Sequence, residues 1–408
     1  MTEFQLHTLP NGIRVAYKQV YNTKIVHCGI MLDIGSRDEL PHQAGLAHFW
    51  EHMAFKGTKK RKSYHIINSL EAVGGELNAY TTKEKICFYA SVLDSYFEKS
   101  VELLTDITFN SIFPEKQLEV ERGVILEEMS MYLDSPEDAI QDEFDSLIFP
   151  NHQLGVNILG TQESVQRFKR QDLIDFIDEN LDTEKIVLSI VGNLDFKKVI
   201  KVSEKLLSDI PVKRRVKTRL SPTEYVSTNH KIDKKNNQAH VAIGRPSYAI
   251  HDKNRLPFFA LVNLLGGPGM NSRFNLSLRE KYGLVYQIEA SYSSFMDTGF
   301  FGIFFGTDPQ NLNKAMRLVN KEMEQLMQKP LGLVQLKTLK DQLKGQLAMA
   351  EEGKQGYMLM MAKSLLDLEK VESLTQIFDD IDKIDQTVLM DLANDMFDKN
   401  QLSSLVYV

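Results

Sequence analysis

The sequence predicts an α+β protein of two similar domains, each a mainly antiparallel sheet with helices packed on it and the pair related by internal duplication. Three observations carry this. Apolar residues alternate with period 2 in several short runs and recur at helical spacing in others. The order strand, helix, helix, strand, strand, helix occurs twice along the chain. The 408 residues exceed what one ordinary hydrophobic core organises. A basic stretch poor in large apolar residues, VKRRVKTRL at 212–220, is followed by Ser221-Pro222 and separates the halves. The expected boundaries are a first domain over 1–215, a linker over 216–226 and a second domain over 227–408.

In the first half, residues 5–9 and 13–17 alternate around Pro10-Asn11-Gly12 and predict a β-hairpin. Residues 25–34 are mostly apolar, interrupted by His27 and Asp33, and predict a strand buried on both faces. Leu46, Phe49, Trp50 and Met53 recur at helical spacing within 45–56, and Gly57 stops that helix. A second helix over 63–73 ends at Gly74-Gly75. Strands follow over 76–82 and 85–93, then a helix over 94–109 and another over 114–132 with Pro114 in its first turn. Helical, strand and helical segments then cover 163–180, 185–191 and 196–208. In the second half, a strand over 238–244 precedes helices over 255–265 and 272–281. Strands over 285–295 and 299–307 and a helix over 310–328 complete the repeat.

Composition narrows the function classes. Hydrophobic residues make up 43% and charged residues 25%, as in ordinary globular proteins. A net charge of −7 without a long basic run points away from nucleic acid. Glycine-rich GGPGMNSR at 266–273 lacks the Lys-Ser/Thr of a phosphate loop. No apolar run reaches the length of a membrane span, and no signal or transit pattern opens the chain. Two cysteines, Cys28 and Cys87, sit in apolar strand-like runs, which predicts buried free thiols and a cytoplasmic, reducing location.

The chemistry concentrates in HFWEH at 48–52. His48 and His52, four apart on a helix, lie on one face and can reach one zinc ion. Glu51 stands about 60° round from His48 and about 100° from His52, beside the ion without being needed as a ligand. Leu46, Phe49, Trp50 and Met53 fall on the opposite arc, giving a packing face and a metal face. Catalytic zinc takes three protein ligands and leaves a position for water, whose proton a neighbouring carboxylate can accept. The plain alternative is a helix with two hydrogen-bonded histidines. The third ligand is sought in ERGVILEE, where Glu121 and Glu128 share a face about 10 Å apart along the axis. Glu127 points away toward solvent. The face of Glu121 and Glu128, with Val124 and Ile125 between them, is expected to be buried, and either acid could serve.

H-x-x-E-H is the inverzincin signature, and HFWEHMAFKGT at 48–58 resembles the active-site helix of the pitrilysin and insulinase family. The resemblance extends to PNGIRV (10–15), GSRDE (35–39), GGELNAYTTKE (74–84), ERGVILEEM (121–129) and LREKYGLVY (278–286). It is closest to the small processing-peptidase branch, which includes mitochondrial processing peptidase and bacterial relatives. The resemblance implies His48, His52 and Glu128 as zinc ligands, Glu51 as general base and Glu121 as a supporting carboxylate. It also implies that Leu77, Asn78, Ala79 and Tyr80 form an edge strand for an extended peptide, and that Arg279 and Tyr286 contact substrate. No position departs from the family pattern, which argues against its non-catalytic subunits.

The expected function is zinc-dependent endopeptidase cleavage of unfolded or presequence-like peptides. A weakly catalytic binding subunit is the alternative, disfavoured because a scaffold needs no Glu51. A zinc amidase acting on a small substrate is a third, disfavoured by the long candidate edge strand. The resemblance further implies a homodimer, against the rivals of a monomer or a heterodimer with a sister chain lacking the zinc motif, since this chain carries both parts. In the homodimer, His48, Glu51, His52 and Glu128 of one chain would meet Arg279 and Tyr286 of its copy in two equivalent sites.

Overall fold

The computed structural model describes residues 4–408. The chain forms two compact units, each drawn from three stretches of sequence. The first contains residues up to Met129, Val156–Leu220 and Met349–Val371; the second contains Ser130–Gly155, Ser221–Ala348 and Glu372–Val408.

In the first unit the strands are β1 (Gln5–Thr8), β2 (Arg14–Gln19), β3 (Ile25–Leu32), β4 (Glu76–Thr81), β5 (Ile86–Leu93) and β6 (Ile186–Gly192). They form one sheet in the order β1-β2-β6-β3-β5-β4, antiparallel except for β2 beside β6. The β1–β2 hairpin turns where Pro-Asn-Gly predicts. β3 is buried on both faces, as its apolar run requires. Val26, Cys28, Ile30 and Leu32 join the main core with Phe49, Trp50 and Met53, while Met31 packs with Cys87, Val187 and Met358 on the other side. Both cysteines are buried free thiols.

The second unit holds β7 (Asn229–Ile232), β8 (Ala239–Ser247), β9 (Val285–Ser294), β10 (Gly299–Thr307) and β11 (Ser403–Tyr407). Their order is β7-β11-β8-β10-β9, with β7 beside β11 the parallel pair. Strand for strand and sense for sense this repeats β2-β6-β3-β5-β4. The duplication inferred from pattern is therefore present in the hydrogen bonding, with β1 added to the first copy.

Each sheet is covered on both faces, and the second cover comes from the other half of the chain. In the first unit it is the helix Lys354–Leu368, with Tyr357, Met358, Met361 and Leu365 against the sheet. In the second it is Pro136–Ile148, whose Phe144 meets Phe300 and Phe304 edge-on at 6.1 Å. The units thus differ from the expected continuous division at 1–215 and 227–408 by two exchanged stretches. A sheet with two apolar faces needs two helical layers, and local patterning cannot say which sheet a helix covers.

The basic stretch 212–220 is tied to the first unit by ion pairs. Arg215 lies 3.1 Å from Asp33 and 3.2 Å from Asp38, and Arg219 lies 2.9 and 2.7 Å from the same two acids. Asp33 is buried, so these ion pairs compensate a charge that would be costly alone. The expected helix over 272–281 takes the wider π form over Asn275–Lys281. Among the described residues no helix is long and apolar enough to cross a membrane.

Candidate metal centre

Two helices build the centre, and all the residues they bring to it belong to the first unit. The first, Leu46–Ala54, buries Leu46, Phe49, Trp50 and Met53 completely, so its opposite arc carries His48, Glu51 and His52. It packs on β4. The second, Glu115–Asp134, carries Glu121 and Glu128. Ile125 and Glu121 are buried on this helix, whereas Val124 is 47% exposed, so the face expected to be buried is narrower than its sequence suggests. Glu127 is exposed, as expected.

Nε2 of His48 and Nε2 of His52 stand 3.8 and 3.5 Å from Oε2 of Glu128. Among the described residues these three are the one group of three or more metal-type ligands whose donor atoms all lie within 4.8 Å of one another. Zinc bonds of about 2.0–2.2 Å at tetrahedral angles separate donors by about 3.3–3.5 Å, so this set is close to the size that ion needs. Glu121 meets the other side of the His52 ring, with Oε2 3.2 Å from Nδ1, and its Oε1 takes an ion pair from Lys56 at 2.6 Å. A carboxylate on Nδ1 aims Nε2 at the centre, a recurrent device around metal-binding histidines. The two glutamates that spacing left equivalent thus occupy different places.

Electrostatics follow from these contacts. Burial, with His52 nearby, pushes the His48 imidazolium down to about 4, so this ring is a neutral donor near pH 7. Burial works to lower His52 as well, but hydrogen bonds to Glu121 and Glu128 outweigh it and lift the group to about 9. The hydrogen bond with His52 holds Glu128 below the ordinary carboxylate range against burial. Burial raises Glu51, although a 2.6 Å hydrogen bond from the Thr81 hydroxyl opposes the shift. Thr81 and Lys56 were not singled out in the sequence. Thr81 directly follows the expected substrate strand, and Lys56 follows His52 by four residues, just past the end of the histidine helix; that proximity in sequence is the signal that could have found them.

Among the described residues β4 is an edge strand that pairs with β5 alone, which leaves its outer edge for an added strand. Leu77 and Ala79 pack toward the core on the face shared with Thr81. Asn78 is exposed, and Tyr80 turns to the opposite face, edge-on to Tyr89 at 6.2 Å. Arg279 and Tyr286 belong to the second unit. There they meet each other, the guanidinium 5.9 Å from the ring centre, with Tyr286 86% exposed at the start of edge strand β9.

Two imidazoles and one carboxylate converging on a point, with another carboxylate beside them, could hold a metal ion and leave a position for water, whereas a structural zinc site brings a fourth protein ligand. Sequence comparison agrees with such a centre. Residues 14–162 match the family described as "Insulinase (Peptidase family M16)", and residues 167–343 match "Peptidase M16 inactive domain". An uncharacterized zinc protease of Bacillus subtilis, YmxG, is 30% identical, covering 98% of this chain and 97% of its own. An uncharacterized zinc protease of Streptomyces coelicolor is 33% identical over 88% of this chain and 80% of its own. The chain therefore belongs to the insulinase family of peptidases, family M16. The fold is shared with a protease from Helicobacter pylori, at TM-score 0.91 and 20% identity over 100% of both chains. A structure described as a peptidase M16 inactive domain from Pseudomonas fluorescens has TM-score 0.91 and 15% identity over 99% of this chain and 98% of that one.

Proposed function

We propose that the chain is a zinc-dependent endopeptidase that cleaves extended, unfolded peptides, with His48, His52 and Glu128 as ligands and Glu51 as general base. The observation that carries this reading is Glu51 held by Thr81 beside a donor set of zinc dimensions. Zinc at that set would supply Lewis acidity toward water and the scissile carbonyl. Glu51 takes a proton at its carboxylate and returns it to the leaving amine. Burial raises its proton affinity, which suits a group exchanging protons near neutral pH. Glu121 keeps the His52 ring aimed. Main-chain hydrogen bonds along the free edge of β4 hold an extended peptide largely irrespective of its sequence. The exposed Arg279–Tyr286 pair is supplied by the second copy in a homodimer, where the Tyr286 hydroxyl donates to the developing oxyanion. The metal-type group lies within the match over 14–162, and the domain described as inactive is the other one, over 167–343, which supports a catalytic role for the first.

Digestion of a mixed library of unstructured peptides, with products read by mass spectrometry, tests the substrate class. Internal cleavage of long peptides is expected, abolished by a zinc chelator. Turnover confined to small amides would overturn the peptide reading.

Zinc uptake should also depend on pH with a defined sign. His52 is protonated below about 9 in the metal-free chain, and its proton competes with the ion for Nε2. His48, lowered to about 4, does not compete near neutrality. The apparent zinc affinity is therefore expected to rise about tenfold per pH unit toward about 9 and then level off. Competition with a chromophoric chelator measures this, and a flat profile between about pH 6 and 8 would contradict it.

A further inference from the structure

The histidine helix begins in an unusual way. Its N-cap is Gly45, which contributes no side chain, at φ +95°. No other residue fits there comfortably. The backbone is left-handed, and an added Cβ would stand 2.4 Å from the Leu159 carbonyl oxygen and 2.9 Å from Gly160 Cα. The Ser, Thr, Asp or Asn that ordinarily accepts from the first turn of a helix is thereby barred. Leu46 and Ala47 are fully buried, so the amides of this turn need a partner from the protein.

Glu39 supplies it from six residues upstream. Its Oε2 accepts from the Gly45 amide at 2.9 Å and its Oε1 from the Ala47 amide at 2.7 Å. Glu39 is itself only 3% exposed. Burial pushes the Glu39 carboxyl up to about 8 against the pull of these two amides, so the clamp stands on the two hydrogen bonds; in its ionised form the group gains further from the helix dipole. Ala47 immediately precedes His48. The two histidines also differ in support. Glu121 orients the His52 ring through Nδ1, whereas the buried Nδ1 of His48 has no hydrogen-bond partner among the described residues. The placement of His48 therefore depends on the backbone that carries it.

We propose that Glu39 is a positioning residue for the metal centre: by clamping the Gly45 and Ala47 amides it fixes the first turn of the histidine helix, and with it the direction in which His48 presents Nε2. This inference rests on the zinc reading above. Its test is the zinc affinity of the parent chain, Glu39→Ala, Glu39→Gln and His48→Ala. Each is measured by chelator competition well below its melting temperature, with folding verified by circular dichroism. The parent should bind one zinc and His48→Ala should bind it poorly. Glu39→Ala, without either acceptor, should bind about 10–100-fold more weakly than the parent, as loss of a supporting partner typically costs. Glu39→Gln keeps one acceptor oxygen and should lose less. A cap important only for stability would lower the melting temperature and leave zinc affinity of the folded chain unchanged. Parent-like affinity in folded Glu39→Ala overturns the inference while leaving the zinc reading intact. Failure of the parent to bind zinc overturns both. Hydrogen exchange on the parent supplies a measurement independent of the variants' folding. The Gly45 and Ala47 amides should exchange slowly with or without zinc, and fast exchange in the metal-free chain would also overturn the inference.

Discussion

Glu51→Gln is expected to bind zinc like the parent and to cleave peptides about 100- to 10,000-fold more slowly. That range corresponds to about 3–5 kcal/mol of transition-state stabilisation. The substitution is nearly isosteric, and the Gln oxygen can still accept from the Thr81 hydroxyl that now bonds Glu51. Packing on the opposite arc of the helix, where Phe49, Trp50 and Met53 are fully buried, is untouched. What disappears is a carboxylate able to take a proton beside the centre. Metal content and turnover measured on one preparation separate the two effects. Near-parent turnover with full zinc would assign the base to another group.

Glu128→Gln should have the complementary result, a folded chain that has lost its metal. Glu128 lies within 4 Å of Nε2 on both histidines, and its side chain is partly exposed, so the core does not depend on it. Two imidazoles remain, without the anionic donor. Zinc affinity should fall by more than the roughly 10–100-fold expected for Glu121→Gln, whose partner is the far nitrogen of His52. Metal analysis after dialysis reads both variants. Full zinc retention by Glu128→Gln would remove it from the ligand set, and a larger loss from Glu121→Gln would exchange the two assignments.

The parts of this protein legible in its sequence are those set by local periodicity. The histidine helix could be divided into a packing face and a polar face because Leu46, Phe49, Trp50 and Met53 recur at helical spacing, and all four are fully buried. The duplication was legible because each half repeats an order of elements, and the two sheets repeat one hydrogen-bonded order. Choosing between Glu121 and Glu128 needed more. Seven residues apart on a helix they face the same way, and only the position of the histidine helix sets one at Nδ1 of His52 and the other at Nε2. The exchanged helices Pro136–Ile148 and Lys354–Leu368 were illegible for the same reason. An amphipathic pattern shows that a face will be buried but does not name the sheet that buries it. The stretch holding Arg215 and Arg219 read as a separator between domains because their partners, Asp33 and Asp38, lie some 180 residues away. Glu39 lies in GSRDE, a segment of the family resemblance, but nothing there marked it as a cap, since a cap normally comes from the residue next to the helix and Gly45 excludes that arrangement.

The most direct measurement is a zinc titration of the metal-free parent chain while cleavage of an unstructured peptide is followed. Activity should be absent at the start, rise linearly, and reach its plateau at one zinc per chain, with Glu51→Gln taking up the same equivalent and remaining inactive. Cleavage by the rigorously metal-free chain, or a plateau unrelated to zinc bound at His48, His52 and Glu128, would contradict the account.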